Sequence, residues 1–471
     1  MELTKLRPVG RLERCSTARH SLGFYKNVAV TATYTLPSTS AYPIETYIYE
    51  ACKTLIAQHP ILSAIPLAEE TNDPYFVRLP EIHLGKCILF KERQNSSPAS
   101  NVSGPERDLE LDELLNLQHN TGYSSPSPFW RLCILTDPVN PRTFTAAFVF
   151  HHAIGDGGSG KAFHTTFLQA LSRAISSPPP SDEVDTVVAS PQDPLLPTYE
   201  DLLPMTVTVP FLISTLFKHY VWNSRDPSLW TGAKVTAPLT ARLHHIAFSK
   251  ETTTSLKNLC RKNETTITAA LQTTVAGALF TRLEKNYSSL ECAGVISSRR
   301  WLRDAINDDS MGVWLQDFHE HYSREKFFDP DGNLKIPWDE ARRSRKTIEA
   351  ALKLEGKNAL PNMLKYVNNY HNDLYLSTLG KDRQQSFEVS NVGIVKANDA
   401  DSNAEVQAPQ IGRMLFSQSA SVAGPAISVS VITGGDGCLT LAFSWQEGIV
   451  EAALMDHVIE TIGKVIGDLQ E

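Results

Sequence analysis

An α/β fold of mixed rather than strictly alternating order, divided into two globular parts, is what the patterning of this chain dictates. At 471 residues the chain is longer than one ordinary core fills, so two packed units are expected. Apolar runs of period two interleave with helical stripes in both parts. A Ser- and Pro-rich stretch begins after residue 176 and runs to Pro204, with the composition of a crossover linker. These shifts give a first part over 1–176, a linker with an apolar segment over 177–239, and a second part over 240–471.

The elements follow in order. Ile44, Tyr47, Ile48, Ala51, Leu55 and Ile56 recur at helical spacing within 43–59, and Pro60 ends that helix. Strand-like runs occupy 75–79 and 86–91, and a polar loop rich in Ser, Asn and Pro covers 94–105. Segments 129–136 and 143–151 read as a strand pair joined by the turn Asp137-Pro138-Val139-Asn140-Pro141. Phe144, Ala146, Phe148 and Phe150 alternate on one face of the second strand. A Gly-rich turn leads into a helix over 159–174, striped by Phe163, Phe167, Ala170, Leu171 and Ala174. In the second part, 244–248 is a strand, and Ile267, Leu271, Val275 and Leu279 mark a helix. Strands are expected over 292–298, 386–396, 412–418 and 425–433. Gly434-Gly435-Asp436-Gly437 is a hairpin turn into a strand over 438–445. Leu454, Val458, Ile462, Val465 and Leu469 stripe a last helix. Trp314 and Trp445 are assigned to the core, and no fixed-period repeat is found.

Composition narrows the function. A net charge of −8, from 44 basic and 52 acidic residues, leaves no cationic excess to neutralise a phosphate backbone, which argues against nucleic acid as a partner. The 7 cysteines form no Cys-x-x-Cys pair and are odd in number, the pattern of reduced thiols. The opening residues lack the basic and apolar regions of a signal peptide, so a soluble, cytoplasmic protein is expected and the sequon at Asn101 carries no weight. Residues 204–222 are mostly apolar but are interrupted by Pro204, Pro210, Lys218 and His219. A membrane span needs about 20 predominantly apolar residues. We therefore expect a buried or cleft-lining helix in preference to an interfacial anchor.

Chemistry concentrates in Phe148-Val-Phe-His-His-Ala-Ile-Gly-Asp-Gly-Gly-Ser-Gly160. Histidine titrates near neutrality, so it can take a proton from a hydroxyl or amine and return it. A strand end followed by a tight turn holds the ring of His152 in one orientation. Asp156, four residues on, can lock the turn through an arginine, and the glycines allow a substrate to come close. Three other readings fit parts of the segment. His151 and His152 can be satisfied strand-end histidines. The glycines can cradle phosphate, but neither Gly-Lys-Ser/Thr nor Gly-x-Gly-x-x-Gly is present. His152 and Asp156 can ligate a metal, but no third and fourth ligands are evident. Elsewhere, His319-Glu320-His321 reads as a solvated segment, and Asp304, Asp308 and Asp309 as a charged loop or helix face; no metal site is assigned.

The His-His-x-x-x-Asp-Gly segment resembles the active-site signature of the CoA-dependent acyltransferase superfamily, which includes chloramphenicol acetyltransferase, the plant BAHD enzymes and peptide-synthetase condensation domains. Leu6-Arg-Pro-Val-Gly-Arg-Leu-Glu-Arg14, Gly23-Phe-Tyr-Lys-Asn-Val28, Ser390-Asn-Val-Gly393 and Trp445-Gln-Glu-Gly448 extend the likeness along the chain and resemble the fungal alcohol acetyltransferases most. The resemblance implies two similar chloramphenicol-acetyltransferase-like halves, each a mixed β-sheet flanked by helices, with a tunnel between them. It implies His152 as catalytic base with Asp156 and Gly157 beside it, and Arg299 or Arg300 as the partner of Asp156. His20, His151, Ser390 and Asn391 are expected along the tunnel. The Asp-Phe-Gly-Trp-Gly motif of the plant branch is absent, which leaves the oxyanion donor unassigned.

The activity implied is O-acetylation of a small or secondary-metabolite alcohol by acetyl-CoA, which serves as co-substrate; no tightly bound cofactor is implied. The chain is expected to act as a monomer. N-acetylation of a small amine, a carrier-protein-dependent condensation and a scaffold that has lost the chemistry stay open at this point.

Overall fold

The computed structural model describes residues 3–95, 105–177, 185–220, 226–302, 304–328, 334, 336–395 and 408–469. The polar loop over 96–104, the Pro-rich run over 178–184, residues 221–222 of the apolar stretch and residue 396 of an expected strand lie outside the described residues.

Two mixed sheets dominate. The N-sheet has five strands in the order Gln410–Gln418, Val28–Thr35, Thr143–Phe150, Trp130–Thr136, Ile88–Glu92. The C-sheet has six, in the order Ala241–Phe248, Leu439–Gln446, Ile427–Thr433, Phe387–Ile394, Ser289–Ser297, Leu315–Ser323. Alternation explains why Thr143–Phe150 sits centrally. Phe144, Phe148 and Phe150 point into one core with helices Ile44–Gln58 and Gly157–Ser176, while Ala147 and Val149 pack into a second cluster on the other face. Phe148 stacks on Phe163 of the following helix with centroids 3.8 Å apart, which pins helix to strand. In the C-sheet, helix Ile267–Arg282 packs between Trp338–Lys353 and Ala452–Gly467 over a separate core.

The structure corrects three expectations of organisation. Gln410–Gln418 pairs antiparallel with Val28–Thr35, so a strand from the second part completes the N-sheet. The described residues of the 177–239 linker pack against both parts: Val187–Ala189 pairs with Glu81–His83, Tyr199 packs beside Ala18, and Trp230 belongs to the C-sheet core. The apolar stretch forms a helix, Val209–Tyr220, but Val209, Ile213 and Phe217 face outward instead of lining a cleft. The expectation rested on apolar composition over 204–222, which does not say which way a helix turns its stripe. Among the described residues, no helix is long and apolar enough to cross a membrane.

Residues 319–321 also differ in kind. They lie in strand Leu315–Ser323, where alternation turns Glu320 inward to Arg343, while the rings of His319 and His321 pair with Asp317 and Glu291. Asp304, Asp308 and Asp309 are exposed, and Trp314 and Trp445 are buried.

Candidate active site

The site begins where Thr143–Phe150 ends. Phe150 is paired on both sides, with Val28 and Trp130, so the next residue leaves a fixed point. His151 N–H donates to Phe129 C=O at 2.9 Å, and Ile154 N–H closes a turn on His151 C=O at 3.0 Å. That turn delivers Asp156 to the N-cap of the helix Gly157–Ser176, two residues earlier than the apolar stripe marks its start. Its carboxylate accepts from Ser159 N–H at 2.9 Å, which satisfies a donor that the first helical turn leaves free.

Asp156 is fully buried, and Arg299 meets it two-pronged: Nη1 donates to Oδ2 at 2.8 Å and Nη2 to Oδ1 at 2.9 Å. Trp314 N–H adds a donor at 3.2 Å. Burial alone would raise this carboxyl's pKa; the guanidinium and the N–H donors outweigh it and hold it below the usual carboxylate range. Of the two candidate arginines it is Arg299, at the turn after Ser289–Ser297, that binds Asp156; Arg300 is exposed. The pair ties the loop of the N-sheet to the C-sheet. A Cβ on Gly158 would lie 2.8 Å from Arg299 Nη1, and one on Gly157 would lie 2.7 Å from Val392 Cγ1, so both glycines permit that approach.

Between the sheets runs a cavity of roughly 620 Å³, walled by residues of both parts. His152, Gly157, Arg299, Arg300, Ser390 and Asn391 all line it. The His152 ring lies 5.9 Å from that of Tyr25. Its Nδ1 is buried, the ring's backbone hydrogen bond is to its own residue, and Nε2 is the nitrogen left to face the cavity. Burial first, and the nearby Arg19 cation second, push its pKa down to about 3. The ring is therefore a neutral acceptor throughout the physiological range. Asn391 is committed: its amide donates to Thr268 Oγ1 at 3.0 Å and accepts from Gly393 N–H at 2.8 Å. The Ser390 hydroxyl has no partner among the described residues, and strand alternation places it on the same face as Glu388 and Val392.

His20 and His151 lie elsewhere. Neither is among the residues lining the cavity; both turn to Glu69, with His20 Nδ1 2.8 Å and His151 Nε2 3.2 Å from its two oxygens. Burial would raise the Glu69 carboxyl, but the two histidines bring its pKa down to about 2. A metal could be imagined in this group, yet the second nitrogen of each ring accepts a backbone N–H, from Tyr123 for His20 and from Ala153 for His151. A neutral imidazole whose one nitrogen accepts carries its proton on the other. The nitrogens facing Glu69 therefore carry protons: His20 Nδ1 donates to Oε2, His151 Nε2 stands 3.2 Å from Oε1 as an electrostatic contact, and the group braces the turn from below.

Inspection of the sequence missed Arg19, Tyr25, Glu388 and Gln418, which also line the cavity. One signal was available: Glu388 is the one charged residue in strand Phe387–Ile394. Arg19 and Gln418 reach the cavity through long-range packing that leaves no local trace.

Comparison with known proteins places this geometry. Among solved structures, a trichothecene 15-O-acetyltransferase from Fusarium sporotrichioides superposes with a TM-score of 0.71 at 14% identity, over 99% of this chain and 95% of that one. The first condensation domain of the calcium-dependent antibiotic synthetase superposes with a TM-score of 0.61 at 12% identity, over 100% and 97%. At such identities the likeness defines the fold: two chloramphenicol-acetyltransferase-like halves. The alcohol acetyltransferase family model matches residues 8–465. The chain is 34% identical to the probable alcohol acetyltransferase crmB of Aspergillus fumigatus, over 97% of this chain and 98% of the relative. It is 24% identical to the probable alcohol acetyltransferase FCK4 of Fusarium pseudograminearum, over 96% and 93%. The chain belongs to the alcohol acetyltransferase family and is an acyltransferase.

Proposed function

We propose that the chain transfers the acetyl group of acetyl-CoA directly to the hydroxyl of a small or secondary-metabolite alcohol, with His152 as general base. The observation that carries this reading is the His152 ring at the wall of a cavity shared by both sheets, Nδ1 turned into protein. Nε2 takes the hydroxyl proton as the alcohol oxygen attacks the thioester carbonyl. The tetrahedral intermediate collapses with loss of the C–S bond, and the imidazolium returns the proton to the departing thiolate. Asp156 does not touch substrate; through Arg299 it positions the turn that carries His152. Ser390, whose hydroxyl is uncommitted, is the side chain best suited to meet the oxyanion, together with the backbone at Gly157. Lys161, which reaches the Ile394 carbonyl, and the exposed Arg300 both line the cavity and suit the phosphates of CoA.

The test is ester formation from acetyl-CoA and a panel of alcohols and amines, followed by mass spectrometry. His152→Ala is expected to lose about 10²- to 10⁴-fold in kcat with an unchanged melting temperature; activity that survives the substitution removes the base assignment. Amide products in place of esters would redirect the reading to N-acetylation. Turnover with free acetyl-CoA and no carrier protein separates it from condensation. Because the ring's pKa is lowered to about 3, kcat/KM should be flat from pH 8 to pH 5, with no break near 6.5.

A further inference from the structure

Strand Phe387–Ile394 gives the cavity a direction. Glu388 lies at one end, and Ile394, whose carbonyl Lys161 reaches, lies at the other. At about 3.3 Å per residue the two are roughly 20 Å apart. His152 falls between, beside Tyr25 on one side and leading into Gly157 and Val392 on the other. The charged side chains lining the cavity are Arg19, Lys161, Arg299, Arg300, Asp308 and Glu388. Arg299 is spent on Asp156, Arg300 and Asp308 are exposed, and Lys161 reaches the Ile394 carbonyl at the far end.

Arg19 is the anomaly. It comes from helix Arg11–Ser21, and its guanidinium carbon lies over the Tyr25 ring, 3.8 Å from the centroid. Among the described residues, none of its side-chain nitrogens donates a hydrogen bond, no carboxylate comes within 4.0 Å of it, and its Nε is buried. Glu388 attracts it through space, and Arg19 in turn opposes the rise that burial imposes on the Glu388 carboxyl, but no hydrogen bond joins them. That carboxylate accepts from Gln418 Nε2 at 2.7 Å, and Gln418 in turn accepts from the Tyr25 hydroxyl at 3.2 Å. Stacking orients a planar cation but leaves its in-plane N–H groups without acceptors. A fork of donors held rigid by an aromatic ring matches a planar carbonyl or carboxylate group.

We propose that Arg19 is the specificity-determining residue of the acceptor end, and that the acceptor alcohol bears a carbonyl oxygen, as amide, ester or carboxylate, which the guanidinium binds while the hydroxyl lies at His152. The proposal deepens the O-acetyltransferase reading and rests on it for the identity of the reacting group. It commits the acceptor to a class, a hydroxy acid or hydroxy amide rather than a plain alkanol.

The test compares ω-hydroxyhexanoate, its primary amide and n-hexanol as acceptors for wild type and Arg19→Met. Wild type is expected to favour a carbonyl-bearing acceptor over n-hexanol in kcat/KM by about ten- to hundredfold, the worth of a hydrogen bond to a charged group. In the variant that ratio falls toward one with an unchanged melting temperature. The acid and amide arms tell a charged from a neutral carbonyl. A ratio that persists in the variant, or an equal loss with all three acceptors, overturns the proposal. Calorimetric binding of hexanoate, hexanamide and n-hexanol without acetyl-CoA decides the matter separately from turnover. Tighter binding of a carbonyl ligand that is lost in the variant upholds the role of Arg19, even where no acceptor is acetylated and the transferase reading is what fails. Equal binding of all three overturns it.

Discussion

Replacing Arg299 with Met probes the tie between the two sheets. The substitution keeps apolar bulk near Trp314, whose ring lies 5.0 Å from the guanidinium carbon, but removes both charged donors to Asp156. What remains is a fully buried carboxylate with donors only from Ser159 and the Trp314 N–H. Ser310 C=O also loses its bond to Nη2, at 3.1 Å. Removing one partner of a buried pair costs about 3–5 kcal/mol. With about 2.1 cal/mol/K of unfolding entropy per residue, 471 residues give about 1 kcal/mol/K, so the melting temperature should drop by about 3–5 °C if the chain unfolds as one unit. Calorimetry measures both the drop and the cooperativity. Turnover should fall as well, because the charged tie that holds the turn carrying His152 against the C-sheet runs through Asp156. Adding Asp156→Asn removes the stranded charge, so the double variant should be more stable than Arg299→Met alone. A single variant within about 1 °C of wild type, or a double variant showing the simple sum of two losses, would falsify the ion pair as the anchor.

Other expectations concern stability and thiol chemistry. Burial pushes the pKa of His59, His151 and His164 down to about 4 and that of His119 down to about 3. The folded chain thus refuses protons that the unfolded chain takes up below about 6.5. Stability is then full above that value and falls as pH drops toward 4, by up to about 2 kcal/mol per histidine at pH 5; a melting temperature that is flat from pH 7 to pH 4.5 would contradict this. A Cβ at Gly160 would sit 2.3 Å from Val30 Cγ2, so Gly160→Ala should destabilise by about 1–3 kcal/mol, read by urea unfolding. Burial raises every cysteine thiol, to about 12 for Cys15, Cys87 and Cys260 and to about 11 for Cys133 and Cys438, with Cys52 and Cys292 also raised. An aromatic disulfide reagent at pH 8 should therefore count almost no thiols in the native chain and 7 after denaturation.

Local chemistry was legible in the sequence; assembly was not. His152, the turn and Asp156 are contiguous, so their strand-end setting could be read from alternation and glycines alone. The helix over 44–58 and the hairpin at 434–437 were readable for the same reason. Arg299 was reachable only through a family likeness, since nothing local distinguishes it from Arg300. His20 and His151 were misplaced because their partner, Glu69, comes from a loop about 50 residues past His20, and a histidine gives no sign of which way its ring turns. The apolar stretch over 204–222 suggests a buried or cleft-lining helix because composition does not report which way Val209, Ile213 and Phe217 face. Strand 410–418 was recognised as a strand, but its partner lies in the other half of the chain, beyond the reach of any local pattern.

That strand has a consequence for biogenesis. Residues Gln418 and Val28, paired in the finished N-sheet, stand about 390 positions apart. On a ribosome the N-terminal unit must wait, with one side of Val28–Thr35 unpaired, until almost the whole polypeptide has emerged. Closing so long a loop is slow, and an open sheet margin invites association with other chains. Truncation at residue 240 should accordingly yield an aggregation-prone fragment, and full-length yield should depend on whatever shelters that margin during synthesis.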